Sequence, residues 1–360
     1  MTRTVHAFAA VAALGLLAAG GTGCRAEPEI KDVVSNYMAI AEAGYGDSLR
    51  SAQELQSAVD KFLLAPTPAT LEAARSAWKA ARVPYMRTEA FRFGNKIVDD
   101  WEGRVNSWPL DEGLIDYVDT AKYGEASDEN PLFVANVIAN PEIKADGKTI
   151  DAKTINKDLL RELHEAMDVE SNVATGYHAV EFMLWGQDLN GTNPGSGNRP
   201  ATDFDLKSCT HGHCDRRRDY LKASTALLVD DLEEMANNWK ADGAARKALL
   251  AQSPSAQLST ILTGLGSLSY GELAGERMKL GVILHDTEEE HDCFSDNTQN
   301  SHYGDQMGMI AVWRGVSDGA TPVKGASIRD LALARAPEAA KRLDDAMALT
   351  LTKIKAIKDE

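Results

Sequence analysis

The chain is short of positive charge, of cysteine and of long apolar runs, and each shortage narrows what it can be. Lys and Arg number 38 against 54 Asp and Glu in 360 residues, a net charge of -16. A surface this acidic repels phosphate backbones and anionic lipid headgroups, so nucleic acid is excluded as a partner. Cysteines number only four. The apolar run Ala7 through Ala19 is too short to span a bilayer as a mature helix, and no other run is long enough. The HExxH pattern of helical metallopeptidases is missing, and no Ser-His-Asp or Cys-His pattern replaces it. Convincing strand alternation is also absent.

What is present begins with an export signal. Arg3 supplies a leading positive charge, Ala7–Ala19 the apolar stretch, and Gly20-Gly21-Thr22-Gly23-Cys24 a small-residue cleavage site. Residues 1–24 are therefore expected to be a signal peptide. A cysteine at that point suggests a bacterial lipoprotein acylated on Cys24, with simple secretion as the alternative. Either way the mature chain is expected to work outside the cytoplasm, as a periplasmic or outer-membrane protein. Of the other cysteines, Cys209 and Cys214 flank His211, Gly212 and His213. Two Cys and two His could bind a metal. In an oxidising compartment a Cys209–Cys214 disulfide closing a glycine-containing loop is the favoured reading, with Cys293 as the odd thiol.

The helical period dominates the rest. Val34, Met38, Ala41, Tyr45, Leu49, Ala52, Leu55, Val59 and Phe62 recur at three- and four-residue steps and describe one long amphipathic helix. A second is expected from Thr70 to Phe93, kinked or broken at Pro84. Further helices are expected over Asn156–Met167, Asn172–Gln187, Cys214–Trp239, Ser255–His285, Ile328–Ala334 and Pro337–Ile357. Residues 96–129 loosen into turns and short helices, Leu189–Ser208 has no period, and Ser295–Gly308 looks polar and irregular. The expected fold is all-α, with two four-helix-bundle-like domains over 28–188 and 209–360 joined by a linker over 189–208. A faint echo of Asn36-Tyr37-Met38 in Asp219-Tyr220-Leu221 fits a duplicated bundle, and nearly as well the shared composition of two amphipathic helices.

The segment Gly176-Tyr177-His178-Ala179-Val180-Glu181 carries the clearest chemistry. On a helix His178 and Glu181 share a face, three residues apart, among Val180, Phe182, Met183, Leu184 and Trp185. Burying such a pair is costly unless a metal or a hydrogen-bond network satisfies it. A lone His on an apolar helix face is more often a hydrogen-bonded core residue than a ligand.

That hexapeptide resembles the GxHxxE signature of the imelysin family, also classed as M75 peptidases and iron-regulated proteins. The resemblance extends to Phe182–Asp188, Asn106–Glu112, Ile115-Asp116-Tyr117, Cys209–Arg218, Gly275–Met278 and Glu289–Thr298, in the expected order. It implies paired helical bundles, export, a link to iron acquisition, and a metal site to which His178 and Glu181 contribute.

One nitrogen and one oxygen donor make half a site, since Fe or Zn usually takes at least three protein ligands. Glu89, one turn after Tyr85, is the first candidate to complete it. Asp111 and Glu112, after the Trp108-Pro109 corner, come next. Against these stand a Glu89 pair with Arg87 or Arg92, and N-capping by Asp111 or Glu112. Such an oxygen-rich set suits iron, divalent or trivalent, with zinc as the alternative. The acidic run Glu288–Asp292 and the Ser295–Thr298 turn read as a charged helix end and a capped turn. Glu276 reads as an internal salt bridge.

The function expected is an exported iron-binding protein serving iron uptake. Its partners would be the metal ion, the membrane through the lipid anchor, and a protein of the uptake system. A zinc peptidase on the same helix is an alternative, though HxxE assigns no obvious base. A surface module that binds a protein, haem or a metal chelate is another.

Overall fold

The computed structural model describes residues 27–285 and 289–359. The signal segment, the Cys24 lipidation site and Glu288 lie outside the described residues. The fold is all-α. Its first helices are α1 (Ile30–Leu64), α2 (Pro68–Met86) and α3 (Lys96–Asn106), then the short turns α4 (Glu112–Ile115) and α5 (Thr120–Tyr123). After a small hairpin, β1 (Glu142–Ala145) and β2 (Lys148–Asp151), come α6 (Lys157–Leu163), α7 (Gly176–Trp185) and α8 (Cys214–Trp239). The chain closes with α9 (Ala244–Leu250), α10 (Pro254–Gly266), α11 (Gly281–Leu284), α12 (Thr298–Arg314), a second hairpin β3 (Val316–Ser317) and β4 (Val323–Lys324), α13 (Ile328–Arg335) and α14 (Pro337–Asp359).

Local chemistry explains the boundaries. Thr67 and Thr70 cap each other at the start of α2, with Pro68 at its first turn. Pro84 does not break α2 at once, but the helix ends two residues later at Met86, and a single tight turn over Glu89–Phe91 replaces the expected continuation to Phe93. Between α10 and α11 the backbone widens into a π-helix over Ser267–Leu280. The segment expected to be irregular, Ser295–Gly308, is mostly helix α12. Its polar residues Ser301, His302, Asp305 and Gln306 are buried inside the protein, and so escape an apolar periodicity search.

Helix α7 is the axis of the site. All ten of its residues are buried, as a helix packed on every side requires. It lies against α2, α3 and α8. Its first residue, Gly176, has φ +82°, and a Cβ there would stand 2.5 Å from the Val105 carbonyl oxygen, so glycine is needed for α3 and α7 to meet this closely.

Packing crosses the 189–208 segment. Helix α8 lies along α1, and α12 packs against α2. Within 189–208 itself Arg199, Asp203 and Phe204 are buried. No helix among the described residues is long and apolar enough to cross a membrane.

Candidate metal centre

His178 and Glu181 stand one turn apart on α7, both buried. The two side chains meet directly: His178 Nδ1 lies 3.0 Å from Glu181 Oε2. The other carboxylate oxygen, Oε1, accepts the backbone N–H of Ser295 at 2.9 Å. Glu181 therefore has both oxygens in use and acts on the ring, not beside it. His178 Nε2 has no hydrogen-bond partner.

The loop before α12 brings in the rest. His291 and Asp292 are buried, with the His291 ring 4.8 Å from the His178 ring, edge to face. Neither nitrogen of His291 has a hydrogen-bond partner. One donor atom from each of His178, His291 and Asp292 falls within 4.8 Å of the others, the only such group of three or more found among the described residues.

Asp292 is held from several sides. Arg82 of α2, 1% exposed, donates through Nη2 to Asp292 Oδ1 at 2.6 Å and through Nη1 to Asn106 Oδ1 at 2.7 Å. The Asn297 amide donates to Asp292 Oδ2 at 2.9 Å, and the Ser301 hydroxyl donates to the same oxygen. Arg82 is itself fixed among the rings of Tyr177, Trp78 and Tyr85.

Electrostatics set the protonation states. Burial, helped by the charge of Arg82, lowers His178 to about 3. Burial, then Arg277 and His178, also push His291 well below its ordinary value. Both imidazoles are thus neutral at neutral pH, the form that binds a metal. Burial works to raise Asp292, but Arg82 holds it down at about 2, so it is a carboxylate. Glu181 is pushed well up by burial and by the Asp292 charge, while the Ser295 contacts and Arg82 pull the other way.

The structure brings His178 and Glu181 together and places the other expected ligands elsewhere. The Glu89 carboxylate accepts from Arg277 Nη2 at 2.8 Å. Arg277 also reaches Asp305 at 3.0 Å and Glu272 at 3.1 Å, so Glu89 belongs to a buried charge network. Arg277 and Arg92 hold Glu89 below the usual carboxylate value against its burial. Asp111 accepts from the Ser171 hydroxyl at 2.6 Å and the Asn130 amide at 2.5 Å. Glu112, buried at the start of α4, accepts from Gln187 at 3.3 Å. Glu276 is exposed, and its neighbour Arg277 makes the internal ion pairs. Cys209 and Cys214 form a disulfide, and the Cys293 thiol is buried.

Sequence reasoning missed Arg82, His291 and Asp292. His291 and Asp292 sit in an acidic run whose charge suggests solvent. The available signal was the apolar Cys293-Phe294 directly after them, since a run that ends in buried apolar residues turns inward. Arg82 had no local signal at all, because its partner is 210 residues away.

A helical fold that encloses two neutral imidazoles and a carboxylate defines a protein with the makings of a buried metal centre. The chain belongs to the imelysin family, whose model matches residues 41–360. Over 83 residues it is 40% identical to iron-regulated protein A of Synechococcus elongatus, a match that spans 23% of this chain and 21% of that relative's length. A protein described as an iron-regulated protein A precursor, from Parabacteroides distasonis, has a similar structure: TM-score 0.60, 17% identity, covering 93% of this chain and 88% of that one. An imelysin-like protein from Psychrobacter arcticum gives TM-score 0.56 at 14% identity, covering 91% and 85%. At these identities the two structures speak for the fold alone.

Proposed function

We propose that this chain is an exported metal-binding protein of iron metabolism, with His178, His291 and Asp292 as ligands and Glu181 as the carboxylate that orients His178. The observation that carries the reading is the set of orphaned nitrogens in the core. His178 Nε2 and both His291 nitrogens are buried and lack partners. Each such atom costs on the order of 1–3 kcal/mol. A cation at this point removes that cost for the nitrogens it binds, and two neutral imidazoles with an ionised carboxylate are suitable donors.

Glu181 fits the same reading once a cation is bound, whose charge offsets the burial and the Asp292 charge that favour its protonated form. A metal-bound His commonly gives its other N–H to a carboxylate, which fixes the ring and strengthens the ligand. Arg82, already paired with Asp292, weakens the hold on a cation, as reversible cargo requires. Iron is favoured over zinc because the relative from Synechococcus elongatus is described as iron-regulated. Export is supported by the Cys209–Cys214 disulfide, a bond that persists in oxidising compartments, together with the leader and Cys24.

Titration of the purified protein with Fe(II) and Zn(II), with metal content measured after dialysis, tests the proposal. His178→Ala and His291→Ala should each lose the bound ion. Unchanged stoichiometry and affinity in both variants would overturn the assignment.

A further inference from the structure

The candidate metal centre borders a cavity of about 350 Å³ between α3, the segment joining α6 to α7, and the π-helix, and His291 lines it. His291 is 1% exposed, and both of its nitrogens lack partners. The Trp108 ring lines the same cavity and lies against the His291 ring edge to face, with centroids 5.4 Å apart. Trp108 is only half-buried, and its Nε1 donates to the Glu290 carbonyl at 3.2 Å. A larger cavity of about 630 Å³ lies beside His285 and His302, but none of the three candidate ligands lines it.

The remaining walls of the first cavity are acidic. Asp99, Asp100, Glu102, Glu165, Glu170 and Glu272 line it, with Arg92 as the cation among them. Arg92 is shared by Asp99 at 3.2 Å, Glu102 at 3.3 Å and Glu272 at 3.5 Å. Arg277 also answers Glu272, and Lys96 answers Asp100. Burial and Glu89 push Glu102 up to about 7, against the pull of Arg92 and Arg277, so its charge is partial at neutral pH. Two exposed carboxylates stay unanswered. Glu165 stands 3.9 Å from the neutral His164 ring, and Glu170 has no ion pair among the described residues.

We propose that this cavity is the entrance by which a hydrated divalent cation reaches His291, with Glu165 and Glu170 drawing the ion in and Trp108 swinging aside to uncover the ring. The proposal rests on the metal reading above. An acidic recess with low-dielectric walls concentrates cations and speeds their association, and salt screens the effect. His291 is covered in the structure, so an ion reaches its nitrogens only when the cover moves. Of the side chains lining the cavity, Trp108 is the one whose ring lies against His291. A half-exposed ring held by one hydrogen bond to a loop carbonyl moves more readily than the enclosed side chains on the inner side of the site.

Stopped-flow mixing of Co(II) with the metal-free protein tests the entrance. Binding is followed by tryptophan fluorescence at about 10 mM and about 500 mM salt. In Glu165→Gln/Glu170→Gln the association rate should fall about fivefold or more at low salt, and the gap should close at high salt. The same loss of two charges outside the cavity, in Glu338→Gln/Asp345→Asn on α14, should leave the rate within about twofold. Trp108→Ala should speed association and dissociation together, with affinity little changed; if it does not fold, Trp108→Phe should do the same to a smaller degree. Equal association rates in the two double variants, a slowdown that survives high salt, or unaltered rates in the Trp108 variant would overturn the entrance and leave the metal site standing, because Co(II) stoichiometry is read on the same samples. Failure of the unmodified protein to bind Co(II) would overturn the metal reading, and the entrance with it.

Discussion

His178 Nδ1 and Glu181 Oε2 stand 3.0 Å apart on one helix face, and this contact leaves His178 Nε2 as the nitrogen without a partner. The three-residue spacing therefore orients a ring. In the proposed centre Glu181→Gln keeps the shape but loses the carboxylate behind the imidazole. Metal affinity should fall about 10- to 100-fold with stoichiometry retained, as for other carboxylates behind ligating histidines. Complete loss of the ion in Glu181→Gln would instead make Glu181 a ligand.

Glu89 gives the opposite expectation. Its carboxylate is buried against Arg277 and takes no part in the His178 group. Glu89→Leu should leave metal affinity unchanged while lowering stability by about 3 kcal/mol, the low end for breaking a buried ion pair, because Asp305 and Glu272 still face Arg277. Paired urea unfolding and metal titration separate the two effects. A large affinity loss with unchanged stability would reverse the assignment.

The contrast between Glu181 and Glu89 shows what a sequence can and cannot reveal. Periodicity located α1, α8 and α14 closely, because an amphipathic helix writes its buried face at regular steps. The His178–Glu181 pair was legible because both partners lie on one helix. His291, Asp292 and Arg82 reach the site from a distant loop and another helix, and such meetings leave no local pattern. Helix α12 was missed for a related reason: its inward face is polar, built of side chains such as Ser301, whose hydroxyl bonds Asp292. Periodicity detects apolar burial and is blind to a hydrogen-bonded polar core.

Gly176 opens α7 with φ +82° and its Cα against the Val105 carbonyl. Gly176→Ala meets both penalties, a left-handed backbone with a Cβ and a 2.5 Å clash with a main-chain oxygen. Stability should fall by about 2 kcal/mol or more, and metal affinity should fall with it, because α7 must shift and carry His178 along. Thermal unfolding of the metal-free protein measures the first effect and titration the second. A neutral substitution in both would show that the α3–α7 approach is slack.

His164 supplies a pH test away from the metal centre. Its Nε2 lies 3.0 Å from the Gly103 carbonyl, and its Nδ1 accepts the Ala174 N–H at 3.4 Å. The ring is thereby set neutral, with the proton on Nε2. Burial lowers its pKa from 6.5 to about 4 against the Gly103 carbonyl, which favours the protonated ring, with Arg161 and Arg104 adding to the lowering. The folded chain therefore binds this proton less readily than the unfolded chain. Between pH 6.5 and 4 the unfolded state holds more of it, so acid favours unfolding across that window, and the loss levels off below the folded value. At about 1.4 kcal/mol per pKa unit the full effect approaches about 3 kcal/mol. His164→Gln cannot take up the proton. Urea unfolding of both proteins from pH 7 to 4 should show the unmodified chain losing stability relative to the variant as the pH falls, with the His164 imidazole titrating near 4 by NMR. A constant difference across that range would mean that burial does not hold His164 neutral.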